Sequence, residues 1–246
     1  MRLAFFGDGR MGRVAIARAQ SEGHDVGIVF TAREAGLGPE ALTARLREGK
    51  YDAAIDFSVA TAVPAHAGAC ARAAVPLVEG TTGWQAEESE VRRVVDECHG
   101  TMVYGANFSI GVHLFSRVLA RAADLFRGLE GYEAYIEEAH HAGKRDAPSG
   151  TALELERVLR QHLGAAHEIP ITSTRAGHIP GTHRVGFDSV GDTILLVHTA
   201  RSRDGFADGA IAAAQWLATG GRRGGIFAFG DVLDEILASQ RKGAAR

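Results

Sequence analysis

The chain opens on a short apolar run, Leu3-Ala4-Phe5-Phe6, that passes directly into Gly7-Asp8-Gly9-Arg10-Met11-Gly12. Val14, Ile16, Ala17 and Ala19 follow at helical density as far as Gly23. Strand, glycine loop and helix in that order is the most restrictive feature of the sequence. A bare Gly-x-Gly-x-x-Gly says little, and this context is what gives it meaning. The first glycine permits a tight turn, the second lets backbone approach a pyrophosphate, and the third lets the helix pack on the strand. The helix N-terminus adds unpaired N–H groups and partial positive charge. Gly7, Asp8, Gly9, Arg10, Met11 and Gly12 are therefore the expected phosphate-binding set for a dinucleotide. The competing reading is an ordinary glycine-rich turn between strand and helix.

The pattern then repeats. Strands are expected at Asp25–Phe30, Tyr51–Phe57, Pro76–Glu79 and Thr101–Tyr104, with helices at Pro39–Glu48, Ala60–Ala73 and Glu87–Cys98 between them. Five strands alternating with helices, joined by right-handed crossovers, make a doubly wound parallel sheet of Rossmann type. An NAD-preferring fold usually carries an acid at the end of strand two. Here that end reads Phe30-Thr31-Ala32-Arg33, so Thr31 and Arg33 suit a 2′-phosphate and favour NADPH, although Arg33 reads equally well as a solvated loop charge. Asp56-Phe57-Ser58 falls at the C-terminal edge of strand three, where such sheets bind ligands. Gly80, Thr81 and Thr82 supply small residues and hydroxyls where the nicotinamide half of a cofactor would lie.

After Phe108 the pattern changes. A long helix at Ile110–Phe126 precedes a strand at Tyr132–Ala139, a polar loop and a helix at Ala152–Leu163. Three β-rich runs follow without a helix between them, Ile169–Arg175, Thr182–Ser189 and Thr193–Arg201, the last two joined by a Gly191-Asp192 turn. Strands in succession imply a second, α+β domain with a mixed or antiparallel sheet. The expected division is a dinucleotide-binding domain of residues 1–108 and 204–246 and a substrate-binding and oligomerisation domain of residues 109–203. The tail is read as helices at Phe206–Leu217 and Gly230–Ala238, with Arg241–Arg246 disordered.

The polar loop is the densest chemistry in the chain: Glu138-Ala139-His140-His141-Ala142-Gly143-Lys144-Arg145-Asp146-Ala147-Pro148-Ser149-Gly150-Thr151. Strand alternation puts Glu138 and His140 on one face and His141 on the other. A histidine is the side chain best placed to move a proton near neutral pH, and Glu138 is expected to raise its pKa and suit it to acid catalysis. Lys144 brings a cation that can pair with an anionic substrate or donate a proton. Ser149 reads as a helix N-cap, and Gly150 exposes first-turn N–H groups to a bound anion. The alternatives are a pair of zinc ligands or a polar loop with a good cap. His113, His178, His183 and His198 stand in no recognisable ligand motif, so no metal is expected.

Apolar content of 46% and a net charge of −3 are those of a globular protein without the basic footprint of nucleic-acid binding. No apolar run approaches the roughly 20 residues that span a bilayer, and no signal-peptide pattern precedes the first strand. Cys70 and Cys98 read as reduced thiols, so a cytoplasmic location is expected.

The stretch Glu138-Ala139-His140-His141-x-x-Lys144-x-Asp146-Ala147-Pro148-Ser149-Gly150-Thr151-Ala152 resembles the signature of the dihydrodipicolinate (4-hydroxy-tetrahydrodipicolinate) reductase family. Gly9-Arg10-Met11-Gly12, Asp56-Phe57-Ser58, Gly80-Thr81-Thr82-Gly83, Asn107-Phe108-Ser109-x-Gly111, Thr174-Arg175-Ala176-Gly177 and Phe206-x-x-Gly209-Ala210 follow the family's order, so the resemblance spans the chain. It implies NAD(P)H-dependent reduction of a cyclic dicarboxylate in diaminopimelate and lysine biosynthesis, with loss of a hydroxyl as water. His140 would donate the proton, Lys144 would be a second acid or substrate cation, and His141, Gly150 and Thr151 would bind substrate. Gly105, Ala106, Asn107 and Phe108 would join Gly80–Thr82 around the nicotinamide, and a homotetramer is implied. The glycine loop is one residue shorter than in many members, the segment Thr31–Lys50 is short, and Pro180 is unusual at its place. Two other readings compete: a different Rossmann dehydrogenase, which in the semialdehyde class needs a reactive cysteine, and an inactive NAD(P)-binding regulatory protein.

Overall fold

The computed structural model describes residues 1–31, 37–165, 167–219 and 224–244. Arg33 lies outside them. The chain runs β1 (Arg2–Phe6), α1 (Arg10–Ser21), β2 (Asp25–Phe30), α2 (Pro39–Gly49), β3 (Ala53–Asp56), α3 (Val63–Ala73), β4 (Leu77–Glu79), α4 (Glu88–Glu97) and β5 (Thr101–Tyr104). It continues through α5 (Ile110–Phe126), β6 (Glu133–His140), α6 (Gly150–Leu163), β7 (Ile171–Arg175), β8 (Thr182–Asp188) and β9 (Thr193–Thr199). It closes with α7 (Asp204–Thr219), β10 (Gly225–Ala228) and α8 (Phe229–Ala244). Two compact units result, Met1–Ile110 with Arg203–Arg246, and Gly111–Ser202.

The first unit is a six-stranded parallel sheet in the order β10-β5-β4-β3-β1-β2. Its central strands β1, β3 and β4 are buried on both faces, which is why they read as continuous apolar runs. Alternation along β1 sorts the two layers. Leu3 and Phe5 pack with Ala15 and Ala19 of α1 and with Ala210, Ala214 and Leu233 of α7 and α8. Ala4 and Phe6 pack with Leu42, Leu46, Ala67, Cys70 and Val91 of α2, α3 and α4. The sixth strand corrects the sequence reading, which found five. Gly225–Ala228 is only four residues long, half-buried, and sits between two helices. It becomes a strand by pairing with β5, Gly225 opposite Thr101 and Ala228 opposite Tyr104. The expected disordered tail is likewise helical as far as Ala244.

The second unit is a mixed four-stranded sheet, β7-β6-β8-β9, with β6 parallel to β7 and antiparallel to β8. One face is covered by Phe115, Leu119 and Ala123 of α5 and by Leu155, Val158 and Leu159 of α6, packed on Ala134, Ile136, Val185 and Phe187. The buried pattern along β6 takes in Ala134, Ile136 and Glu138, so the core strand carries a carboxylate at its C-terminal end.

Candidate active site

In the first unit the C-terminal ends of the strands gather the loops expected to meet a dinucleotide. Gly7 adopts φ +91°, and a Cβ there would sit 2.5 Å from the Phe57 carbonyl oxygen. A Cβ on Gly12 would lie 2.0 Å from the Gly7 carbonyl oxygen, so α1 packs on the turn only because residue 12 has no side chain. Gly9 is the N-cap of α1 and has open space where its Cβ would point. No side chain caps this helix and no acid stands in its first turn. A phosphate at this end would therefore meet helix amides that no side chain caps and no first-turn carboxylate opposes. Arg13 Nε donates to the Asp8 carbonyl oxygen at 2.7 Å and ties the loop to α1. Thr31 is half-buried just past β2.

Beyond the glycine loop lies a cavity of about 430 Å³ lined by Met11, Phe57–Ala60, Gly80–Thr82, Ala106–Phe108 and Phe206. Of the expected cofactor residues, Met11, Gly80, Thr81, Thr82, Ala106, Asn107 and Phe108 line it; Gly7–Arg10, Gly12 and Gly105 do not. Phe57, Ser58 and Phe206 are lining residues to which the sequence reading gave no cofactor role, although all three stand in its family motifs. Two buried carboxylates shape the wall. Asp56 accepts from the Ser58 amide (2.8 Å), faces His66 Nδ1 (2.7 Å) and takes a weak bond from the Thr81 hydroxyl (3.3 Å). Glu79 accepts from the Thr81 amide at 2.7 Å. Burial, and then the charge of Asp56, push the Glu79 carboxyl well above its ordinary pKa.

In the second unit the sheet register assembles a cluster that no local motif reveals. Glu138 pairs with Ser173 on β7 and with His183 on β8, and His183 pairs with His198 on β9. His140 lies opposite Arg175. Glu138 is 2% exposed. Its Oε1 accepts from Arg175 Nη2 at 2.6 Å and from the Ser149 amide at 3.3 Å, and its Oε2 lies in close contact with His140 Nδ1. Both Oε2 and Nδ1 are shielded from solvent. Burial by itself would raise the Glu138 pKa, but hydrogen bonds from Arg175 and Ser173 bring it down to about 2.

His140 departs from expectation. Glu138 does favour its charged form, yet burial outweighs that, and its pKa lies below the ordinary histidine value. His183, its ring 5.1 Å from that of His140, is pushed down to about 4 by burial and then by the neighbouring His140. Glu138, His140 and His183 offer ligand atoms within 4.8 Å of one another, which sequence spacing could not show. The Arg175 guanidinium already compensates the Glu138 charge, so the group is an ion-pair cluster rather than a cation site.

The loop after β6 places the remaining candidates. Lys144 Nζ contacts both Asp146 carboxylate oxygens at 2.8 Å, a pairing the sequence reading did not anticipate. His141 falls just beyond the strand and is half-buried. Ser149 caps α6 as expected: its Oγ accepts from the Ala152 amide and its carbonyl from the Leu153 amide. The first helical amides, those of Gly150 and Thr151, lack an intrahelical acceptor and are left for an anion. Arg175 Nη2 also donates to the Asp146 carbonyl oxygen at 2.6 Å, which fixes the approach to the cap. His183 and Arg175 were missed as site members because their place depends on strand pairing across about 40 residues of sequence.

Comparison with known proteins bears on both units. The family model for the N-terminus of dihydrodipicolinate reductase matches residues 1–108, and that for its C-terminus matches residues 111–233. The 4-hydroxy-tetrahydrodipicolinate reductase of Christiangramia forsetii is 37% identical, over 96% of this chain and 99% of its own. That of Methanoregula boonei is 34% identical over 92% and 94%. Among solved structures, a dipicolinate-bound dihydrodipicolinate reductase from Paenisporosarcina superposes with a TM-score of 0.72 at 20% identity, over 93% of this chain and 97% of that one. A probable dehydrogenase from Thermotoga maritima shares the fold at 11% identity, with a TM-score of 0.62 over 96% and 93% of the two chains.

Proposed function

The chain belongs to the dihydrodipicolinate reductase family, and we propose that it reduces 4-hydroxy-tetrahydrodipicolinate to tetrahydrodipicolinate with loss of the hydroxyl as water. It is an oxidoreductase that uses a nicotinamide cofactor. The observation that carries the reading is in the second unit. A histidine held by a buried carboxylate, a lysine and a capped helix start whose first amides have no intrahelical acceptor stand together at one strand-to-helix junction.

The cofactor supplies the hydride. Gly7, Asp8, Gly9, Arg10 and Gly12, with the first amides of α1, would hold the pyrophosphate. Gly80–Thr82, Gly105 and Ala106–Phe108 would line the nicotinamide half, with Asp56 and Glu79 fixing the Ser58 and Thr81 backbones. Thr31 at the end of β2 offers a hydroxyl and no acid, which supports NADPH binding at least as well as NADH. His140 would give the proton that balances hydride addition to a conjugated ring. Gly150 and Thr151 would hold one substrate carboxylate through backbone amides, with His141 beside them. Lys144 would exchange Asp146 for a substrate carboxylate or donate a proton; the exposed Lys144–Asp146 pair is weak enough to give way.

A homotetramer built on the second unit is supported by Ile194, Leu195 and Val197 of β9, all exposed on an edge strand. A cytoplasmic location agrees with free Cys70 and Cys98. Among the described residues no helix is long and apolar enough to cross a membrane.

The test uses purified protein, freshly prepared 4-hydroxy-tetrahydrodipicolinate and NADPH. Oxidation of NADPH above the enzyme-free rate is expected. His140→Gln should lower turnover by roughly 10² to 10⁴ while calorimetric NADPH affinity stays near wild type. Inactive wild-type protein would refute the reaction, and full activity in the variant would refute the role of His140.

A further inference from the structure

We propose that Glu138 is a positioning residue for the proton transfer: its carboxylate fixes the His140 ring with Nδ1 inward, so that Nε2 is the atom that delivers the proton. The proposal rests on the reductase reading, in which His140 is the donor.

Three observations carry it. Glu138 is itself immobilised, for its Oε1 is held by Arg175 Nη2 and by the Ser149 amide, and its Oε2 meets His140 Nδ1. An ionised carboxylate only accepts, so the nitrogen against it carries the hydrogen, and the lone pair of the neutral ring falls on Nε2. Among the described residues nothing hydrogen-bonds Nε2, and that edge of the ring is uncovered for a specific reason. A Cβ on Gly181, which adopts φ +129°, would come within 3.3 Å of both Nε2 and Cδ2. A glycine thus packs against the edge of the ring that carries the donating atom.

The charges around His140 make Glu138 decisive. Arg175 faces it from β7, His183 from β8 and Lys144 from the following loop, while the Asp146 carboxylate is engaged by Lys144. Glu138 is the negative group in contact with the ring. In the step itself the donor is the imidazolium, which has taken a proton from water at Nε2; that N–H bond breaks and the proton goes to the substrate. The neutral Nδ1–H ring remains on Glu138, which takes up no proton. The same carboxylate holds the Ser149 amide, so donor and anion receptor share one anchor.

The test reads the ring nitrogens directly. In protein labelled with ¹⁵N-histidine, with His140→Gln used to assign the signal, neutral His140 should carry its hydrogen on Nδ1. In Glu138→Gln the amide group offers a donor to Nδ1, and the hydrogen should move to Nε2. The high-pH limb of turnover should shift downward by about one pH unit or more, and turnover at neutral pH should fall at least about tenfold. NADPH affinity should stay unchanged, and Glu138→Asp should restore part of the activity. A wild-type ring protonated on Nε2 overturns the proposal, and that measurement needs neither variant folding nor activity. So does a folded Glu138→Gln enzyme with wild-type turnover and pH profile. Loss of all activity in the wild type refutes the reductase reading and leaves the tautomer assignment to stand.

Discussion

Acid should weaken this fold in a window set by one histidine. His183 is 5% exposed, its Nε2 lies 3.1 Å from the Ser149 hydroxyl, and its Nδ1 has no partner among the described residues. Protonation would bury an ion beside His140, His198 and Lys144, with Glu138 alone in compensation, and its pKa in the fold is about 4. In the unfolded chain it returns to about 6.5. Between those values the unfolded state binds the proton and the folded state does not. The stabilisation is therefore complete above about pH 6.5 and lost as pH falls toward about 4. A difference of about 2.5 in pKa, at about 1.4 kcal/mol each, is about 3–4 kcal/mol, a sizeable part of the 5–15 kcal/mol that holds a typical domain. Glu138, at about 2, acts in the same direction but in a lower window, below about pH 4.3. His140 and His198, also lowered, contribute above it, so a difference measurement is needed. Urea unfolding followed by far-UV circular dichroism from about pH 8 to about pH 4 supplies it. His183→Gln keeps a partner for Ser149 and removes the titration. The stability gap between wild type and variant should close by about 3–4 kcal/mol as pH falls. A gap that stays constant would show that His183 does not carry the buried penalty assigned to it.

Other perturbations probe the first unit. Gly12→Ala forces a Cβ into the Gly7 carbonyl. It should cost about 1–3 kcal/mol and, by displacing the α1 amides, weaken NADPH binding at least about tenfold. An unchanged dissociation constant by calorimetry would refute the close-packing argument. Glu79→Gln keeps the acceptor for the Thr81 amide without the charge that Asp56 opposes. A raised carboxyl pKa means stability lost as pH rises, so at neutral pH this variant should be at least as stable as wild type by thermal melting. Glu79→Leu should lose about 1–3 kcal/mol for the orphaned amide, and the reverse order would show Glu79 to be ionised.

The elements expected from sequence are those whose signals are local. The glycine loop, the alternation of apolar runs with helices and the Ser149 cap each depend on a few neighbouring residues, and each appears in the structure where expected. The shared face of Glu138 and His140 was equally legible, because alternation on a strand is a two-residue rule. The sign of the His140 shift was not, because burial is a property of the packed unit and it outweighs the adjacent charge. β10 was missed because four half-buried residues carry no periodicity, and only β5 makes them a strand. Tertiary structure alone set Ser173, Glu138, His183 and His198 in one row across four strands. Register over a long separation decides which side chains meet, and no spacing within the chain records it. The sequence by itself determined a cofactor-type sheet, a mixed second sheet and a loop dense in titratable groups. What the fold decided was how that loop is held: a carboxylate with no access to water, its charge balanced by Arg175, lies against Nδ1 of His140.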